Sequence, residues 1–467
     1  MGNSARLMFL ALRLAITSAG VALVMMVIAF AANYLALSQG SARVENTLSQ
    51  AIADGSFTDK SDLGPWGVFY TRRGSFAEMA YLTSHYDCLI WSSVLSNPPE
   101  GVLAKVIRTS RLIPNVPDAG MSDDCLAVEH ALGFHGSRSD NQLSYYDHYI
   151  IGQRALAQIM LSNFSLRTSA ALTRFAVCCG FLIALMLASI RRNSPIACIA
   201  TVLLIFQPIS LHGSVLNFAP LDIVHSVALI TAIYLPFGLR SFGSLAFIGA
   251  LYGSAIAIFE LLTGGIPMAL VILALLTGIS AVDCRSFAGR YSILAGSFTI
   301  AVLACFAAKL VAVSAIYGAA AFSEFQSALV HRFSHNVSTE LLPRVIESLA
   351  AYGIDAKNSL VYLMATYAYW SMLIGWGSPI FGCLLPLAGL ILLFISTKTH
   401  YRQGVSCSPK LLSCWCGLGA YLAWCLVFWN HTVLHGFMMA KLLVIPFLCG
   451  SVAALPAHPW RVLKRAT

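Results

Sequence analysis

Ten apolar runs constrain this chain more than anything else in it. They lie near 7–37, 170–190, 194–215, 220–238, 242–263, 266–282, 291–317, 379–397, 411–429 and 434–455. A bilayer core about 30 Å thick is matched by about 20 apolar residues in a helix, and a helix satisfies its own backbone groups there. Composition agrees, since 58% of the 467 residues are hydrophobic and 10% are charged, against about 25% charged in soluble domains. These runs predict an all-α integral membrane protein with about ten transmembrane helices and a large structured loop between the first two. The first run, Leu7 to Leu37, is too long for the core of a signal peptide, and no small-x-small cleavage site follows it. It reads as a retained helix.

Lysine and arginine set the orientation. Arg6 and Arg13, Arg191 and Arg192, Arg240, Arg285 and Arg290, Lys398, Arg402 and Lys410, and the tail Arg461, Lys464 and Arg465 all fall on one side if the N-terminus is cytoplasmic. That is the bias expected of cytoplasmic loops. Both termini are then cytoplasmic. The aromatic segment 359–377, closed by Gly375-Trp-Gly-Ser-Pro379, becomes re-entrant or interfacial; the rival is an eleventh crossing. The net charge of +9 comes from these scattered flanking cations, not from a basic stripe, so nucleic acid is not an expected partner. The resulting divisions are a first helix (1–37), a large outer loop (38–168), helices two to seven (169–318), a second outer loop (319–378), and the last three helices with a cytoplasmic tail (379–467).

Loop 38–168 carries 13 of the 20 acidic residues. A loop of this length inside a compact chain is ordinarily structured and functional. Asn46 to Ala53 and Glu78 to Leu95 have helical spacing, and Leu143 to Arg167 reads as one amphipathic helix leading into the second span. Of thirteen cysteines only Cys88 and Cys125 lie in this loop, on the side of the membrane where disulfides persist, which makes them a candidate bridge. The others sit mostly in apolar runs as small buried hydrophobes.

Ionisable residues near membrane depth are costly and suggest function. They gather at the outer ends of the spans. Glu260 closes the fifth span, His212 and Asp222 flank the turn before it with His225 one helical turn below, and Asn430, His431 and His435 lie at the last outer hairpin with Lys441 several residues into the span. The loop adds Asp87 and the Tyr145-Tyr-Asp147-His148-Tyr149 segment. His431 and His435 are four apart and share a helical face, but a hydrogen-bonded pair accounts for them more simply than a zinc half-site, because no zincin-type Glu follows the first. Glu260 as a helix cap and Asp123-Asp124 as solvated surface are the corresponding bland readings. Acids, imidazoles and a lysine under an acidic loop suit an anionic, lipid-borne substrate.

These residues resemble the polytopic GT-C-type glycosyltransferases, nearest a poorly characterised bacterial branch. The likeness rests on Asp87-Cys88 in the first outer loop, the Tyr-rich segment Tyr145 to Gly152, the turn with Glu260, Thr263 and Pro267, and Asn430, His431, His435 and Lys441. Two departures stand out. His148-Tyr-Ile-Ile-Gly152 replaces an expected Arg-Tyr-Trp-His-Gly, and Lys441 stands where Arg is expected, which is not an equal phosphate ligand. The resemblance implies a bacterial inner-membrane enzyme of cell-envelope polysaccharide biosynthesis, with a polyprenyl-phosphate sugar as donor and a glycan or lipid as acceptor. It implies Asp87 as catalytic base, with Asp147, His148, Glu260, His431, His435 and Lys441 binding substrate. It leaves a divalent metal open as a cofactor. The rival readings are a transporter or lipid flippase, kept in view by Lys309 inside the seventh span, and an O-antigen polymerase or ligase, whose large loop usually comes later in the chain. A structural scaffold gives no reason for polar residues to gather.

Overall fold

The computed structural model describes residues 3–55, 57, 87–115, 124–134, 136–147, 149–210, 215–260, 264–333, 379–404, 407–428 and 440–456. Segment 359–377, with its choice between re-entrant and crossing, lies outside them, as do Thr263, His148, His212, His431 and His435.

The apolar runs become helices. They are α1 (Asn3–Leu37), α6 (Leu166–Ile190), α7 (Ser194–Ser210), α8 (Val215–Tyr234), α9 (Phe242–Phe259), α10 (Gly265–Ser280), α11 (Cys284–Tyr317), α13 (Pro379–Arg402), α14 (Pro409–Val427) and α15 (Val444–Ala454), with the less apolar α12 (Ala320–Phe333) following α11. Among the described residues six are long and apolar enough to cross a membrane: Met8–Leu37, Leu166–Ile190, Phe242–Phe259, Cys284–Tyr317, Leu384–Arg402 and Pro409–Val427. Four shorter apolar helices accompany them, Ser194–Phe206, Phe218–Tyr234, Gly265–Ser280 and Val444–Ala454.

The outward faces are apolar. Leu12, Ile16, Val24 and Val27 on α1, Phe175, Ile183 and Met186 on α6, and Leu387 and Phe394 on α13 are all exposed. Contiguous exposed apolar surface on this scale needs lipid around it. The chain is an all-α protein of multi-pass membrane type, in contact with lipid along these faces.

Inside the bundle, α9 packs on α11, α1 on both, α10 on α14, α13 on α15, and α6 on α7 and α8. Small residues allow the closest approach. A side chain at Gly249 or Gly253 on α9 would press into the Leu294 and Phe298 carbonyl oxygens of α11, the close small-residue seam used where hydrophobic drive between helices is absent. The 34 residues of α11 span roughly 51 Å at 1.5 Å per residue, so its C-terminal end reaches the large loop, where Val313 packs with Ile107.

The described part of the loop is folded against the bundle. It contains α2 (Ala42–Ala53), a helix at 87–95 (α3), a π-turn at Lys105–Thr109, strand β1 (Ser110–Pro114), α4 (Asp124–Ala131), strand β2 (Asn141–Tyr145) and α5 (Gln153–Asn163). The strands pair antiparallel, Ser110 opposite Tyr145 and Leu112 opposite Leu143. This corrects the single helix expected over Leu143 to Arg167. Its start is a strand, its middle is irregular with Ile151 at φ 46°, and only Gln153–Asn163 is helical before α6 begins at Leu166. A left-handed backbone at a β-branched residue breaks a helix, so Ile151 ends any continuous helical path.

Candidate functional site

Two buried carboxylates sit where the loop meets the bundle. Asp87 lies in α3, and its Oδ1 accepts from the Leu216 backbone N–H at 3.1 Å, in the first turn of α8. Glu260 follows the last residue of α9, and its Oε2 accepts from the Ile266 N–H at 3.1 Å, in the first turn of α10. The first N–H groups of a helix have no partner within it, and that end carries partial positive charge, so a carboxylate is favoured there. The start of α10 lies against α8, because a side chain at Gly265 would meet both the Glu260 carboxylate and Leu221, the seventh residue of that helix.

Covalent and ionic ties hold Asp87 in place. Cys88, fully buried beside it, is joined to Cys125 of α4 by a disulfide with a Cα–Cα distance of 4.9 Å. Arg111 of β1 holds Asp124 at 3.0 Å. Ser93 donates to the Ser110 carbonyl at 2.6 Å, and the Ser96 and Ser110 hydroxyls are 2.7 Å apart, which locks α3 to β1.

Glu260 is reached from the loop by a second set of contacts. Gly152 N–H donates to the Ile258 carbonyl at 2.9 Å, and Gln153 Nε2 donates to the Phe259 carbonyl at 2.6 Å. The Tyr-rich segment therefore ends directly on the turn carrying Glu260. From the opposite direction, Leu442 abuts Gly264. That brings the 3₁₀ turn Ala440–Leu443, whose backbone includes Lys441, against the same turn. Asp87, Glu260 and the Lys441 backbone thus approach one region.

Asp147 is buried and paired with Arg108 at 3.0 Å. Arg108 lies over the Tyr145 ring, 3.6 Å from its centroid, with Tyr317 of α11 at 5.2 Å. Its pKa is raised: hydrogen bonding and attraction from Asp147, with lesser help from Tyr145 and Glu100, outweigh a desolvation that is individually the largest effect and opposes them.

Around that pair lies a group of buried cations that sequence patterning does not bring together. Arg154 is fully buried in α5 and donates to the backbone carbonyls of Lys105, Val106, Ile150 and Ile151. Burial draws its pKa down to about 9. Lys105 donates to the Val94 carbonyl, and burial, with Arg154 and Arg138 nearby, pulls its pKa to about 7. Lys309 of α11 donates to the Thr109 hydroxyl at 2.6 Å, and that hydroxyl donates to the Tyr149 carbonyl at 2.9 Å. Thr109 sits at φ 56°. Left-handed backbone at a β-branched residue and a π-turn both concentrate at functional positions. The one advance signal for this group was Lys309, an isolated cation in an apolar run; Arg154 on an amphipathic pattern reads as solvent-facing.

A further polar group lies within the bundle. Asp222 and His225 of α8 are fully buried, and His225 Nδ1 is 2.7 Å from the Tyr252 hydroxyl of α9. Among the described residues no three His, Cys, Asp or Glu side chains are grouped as a metal site would require. No protein-family model matches the chain, and neither a curated protein nor a solved structure shows significant similarity to it.

Proposed function

We propose that the chain is an inverting membrane glycosyltransferase of GT-C type, with ten spans and both termini cytoplasmic. It moves a sugar from a polyprenyl-phosphate donor to a glycan or lipid acceptor at the outer face of the bacterial inner membrane. The observation that carries this reading is the buried Asp87 carboxylate at the junction of loop and bundle, held on α8, the same helix whose Leu221 lies against the turn carrying Glu260. A lipid-borne donor presents its phosphate at that depth, and the acceptor arrives from the loop side.

In this reading Asp87 accepts the proton of the acceptor hydroxyl as its oxygen attacks the anomeric carbon, and the lipid phosphate leaves from the opposite face. General-base help of this kind contributes typically 10²–10⁴-fold. Glu260 orients the acceptor or the turn that receives it. Lys441, with His431 and His435, meets the departing phosphate, whose developing charge needs a cation. Asp147 acts through Arg108 rather than by direct contact, because their ion pair occupies it. The N–H of Leu216 is an ordinary helix-start donor, and capping accounts for that hydrogen bond by itself. Asn also caps well, so Asp87→Asn keeps the cap and removes the base.

The rival transporter reading is favoured by Asp222, His225 and Tyr252 inside the bundle. Lys309 no longer argues for it, since it is tied to Thr109 of the loop. The deciding experiment supplies proteoliposomes with labelled polyprenyl-phosphate sugars and follows two products. Sugar appearing on an acceptor supports the transferase. Lipid or solute crossing the bilayer without transfer supports the transporter.

A further inference from the structure

The helices place two disulfides at opposite ends of the bundle. Cys88–Cys125 lies in the large loop. Cys284, the first residue of α11, is joined to Cys407, which lies between α13 and α14, at a Cα–Cα distance of 6.3 Å. The other end of α11 packs under the loop through Val313 and Tyr317. The two bridges are therefore separated by a helix of roughly 51 Å at 1.5 Å per residue, more than the ~40–45 Å of a whole bilayer. One bridge faces each compartment.

The end with Cys284 and Cys407 is the basic one. Arg285 and Arg290 lie in the first turns of α11, Lys398 and Arg402 close α13, and Lys410 opens α14. Arg13, 5.8 Å from the Phe242 ring centroid, places the start of α1 at this same end. Cations in short loops mark the cytoplasmic side, where small thiols keep cysteines reduced and disulfides are transient or redox-sensing.

We propose that Cys284 and Cys407 are a reversible thiol–disulfide pair on the cytoplasmic face, distinct in role from the permanent Cys88–Cys125 bridge; this rests on the orientation adopted above. The pair is open while the cytoplasm is reducing. It closes by exchange with a low-molecular-weight disulfide. One cysteine thiolate attacks that disulfide and releases one small thiolate, and the other cysteine then displaces the second. Two cysteine thiols are oxidised and one small disulfide is reduced to two thiols. Closure clamps the α10–α11 turn to the α13–α14 connection, across a sequence separation of 123 residues. Those two connections belong to helices whose far ends adjoin the Glu260 turn, α10 directly and α13 through its packing on α15.

The test uses cells expressing the full chain, quenched with acid, alkylated and digested, with both linked peptides quantified by mass spectrometry. Cells are sampled at rest, after the thiol oxidant diamide, and after its removal. The expected result is a Cys284–Cys407 peptide that rises at least tenfold with diamide and falls back on removal, while Cys88–Cys125 stays oxidised throughout. Cys284→Ser must abolish the first peptide and leave the second. A Cys284–Cys407 bridge fully formed at rest and indifferent to diamide, with Cys88–Cys125 also oxidised, overturns the reversible pair. A bridge that diamide never forms overturns it equally. The reverse pattern, Cys88–Cys125 responding and Cys284–Cys407 constant, instead overturns the orientation and with it the site of the proposed transfer.

Discussion

Replacing both Cys88 and Cys125 with Ser should loosen the part of the loop that presents Asp87. The bridge closes a sequence separation of 37 residues. Chain-entropy arithmetic for a loop of that size yields about 13 cal/mol/K, or about 3.8 kcal/mol at room temperature. The bridge joins α3 to α4 within a folded loop, so the cost appears first as local opening rather than global unfolding. A loss of about 3.8 kcal/mol corresponds to roughly 600-fold more frequent opening at 1.36 kcal/mol per tenfold. Hydrogen exchange in detergent micelles reads this directly. Amides of 89–95 and 125–131 should exchange about two to three orders of magnitude faster in the double variant, while amides within α9 and α11 keep wild-type protection. Because denatured chains retain structure, the figure is an upper value, and anything above about tenfold is consistent with it. Protection of both loop helices within threefold of wild type would refute the reasoning. It would mean that Arg111–Asp124 and the Ser93 and Ser96 hydrogen bonds hold α3 and α4 without the bridge.

Two further outcomes follow from the packing and charge. Gly253→Ala on α9 should lower stability by about 1–3 kcal/mol, because its methyl group meets the Phe298 backbone oxygen rather than a movable side chain; an unchanged melting temperature in detergent would contradict that. Burial holds the Lys105 pKa at about 7 in the fold against 10.5 for an ordinary lysine, so the unfolded loop binds the proton more tightly. Loop stability should therefore be greatest above about pH 10.5 and fall as pH drops to about 7, by up to about 1.4 kcal/mol per unit, with no further change from this group below that. Between about pH 7 and 9, below the range in which Arg154 adds a slope of the same sign, exchange rates corrected for their intrinsic pH dependence should show this slope in wild type and lose it in Lys105→Met; a slope that survives there assigns it to another group.

The helices were legible because lipid imposes one rule on every span, an uninterrupted apolar run, and that rule is local. Where it fails the reasons are specific. Residues 143–167 carry a helical pattern, but strand β2 exists only through its pairing with β1, about thirty residues earlier, and no local pattern announces that partner. Ile151 adopts a backbone that its side chain disfavours, held there by the contacts around it. At the site, Asp87 beside Cys88 and Glu260 at a helix end were visible as isolated carboxylates in apolar or cysteine-bearing contexts. That each would accept from a backbone N–H in the first turn of a helix, Leu216 of α8 and Ile266 of α10, was not, since it depends on how the loop and the bundle meet. Arg154 illustrates the same limit. On a helix of modest amphipathicity an arginine reads as surface, yet here two carbonyls of the distant Lys105–Val106 segment and two from the residues just before its own helix enclose it.

The most direct measurement of the central claim compares wild type with Asp87→Asn in proteoliposomes holding a labelled polyprenyl-phosphate sugar pool and acceptor. Hydrogen exchange at the start of α8 should first show the cap on Leu216 intact. The account predicts that transfer then falls by at least about 100-fold, the lower end of general-base assistance, while donor binding is retained. Transfer at the wild-type rate with the cap intact would contradict it and leave Asp87 as a structural cap alone.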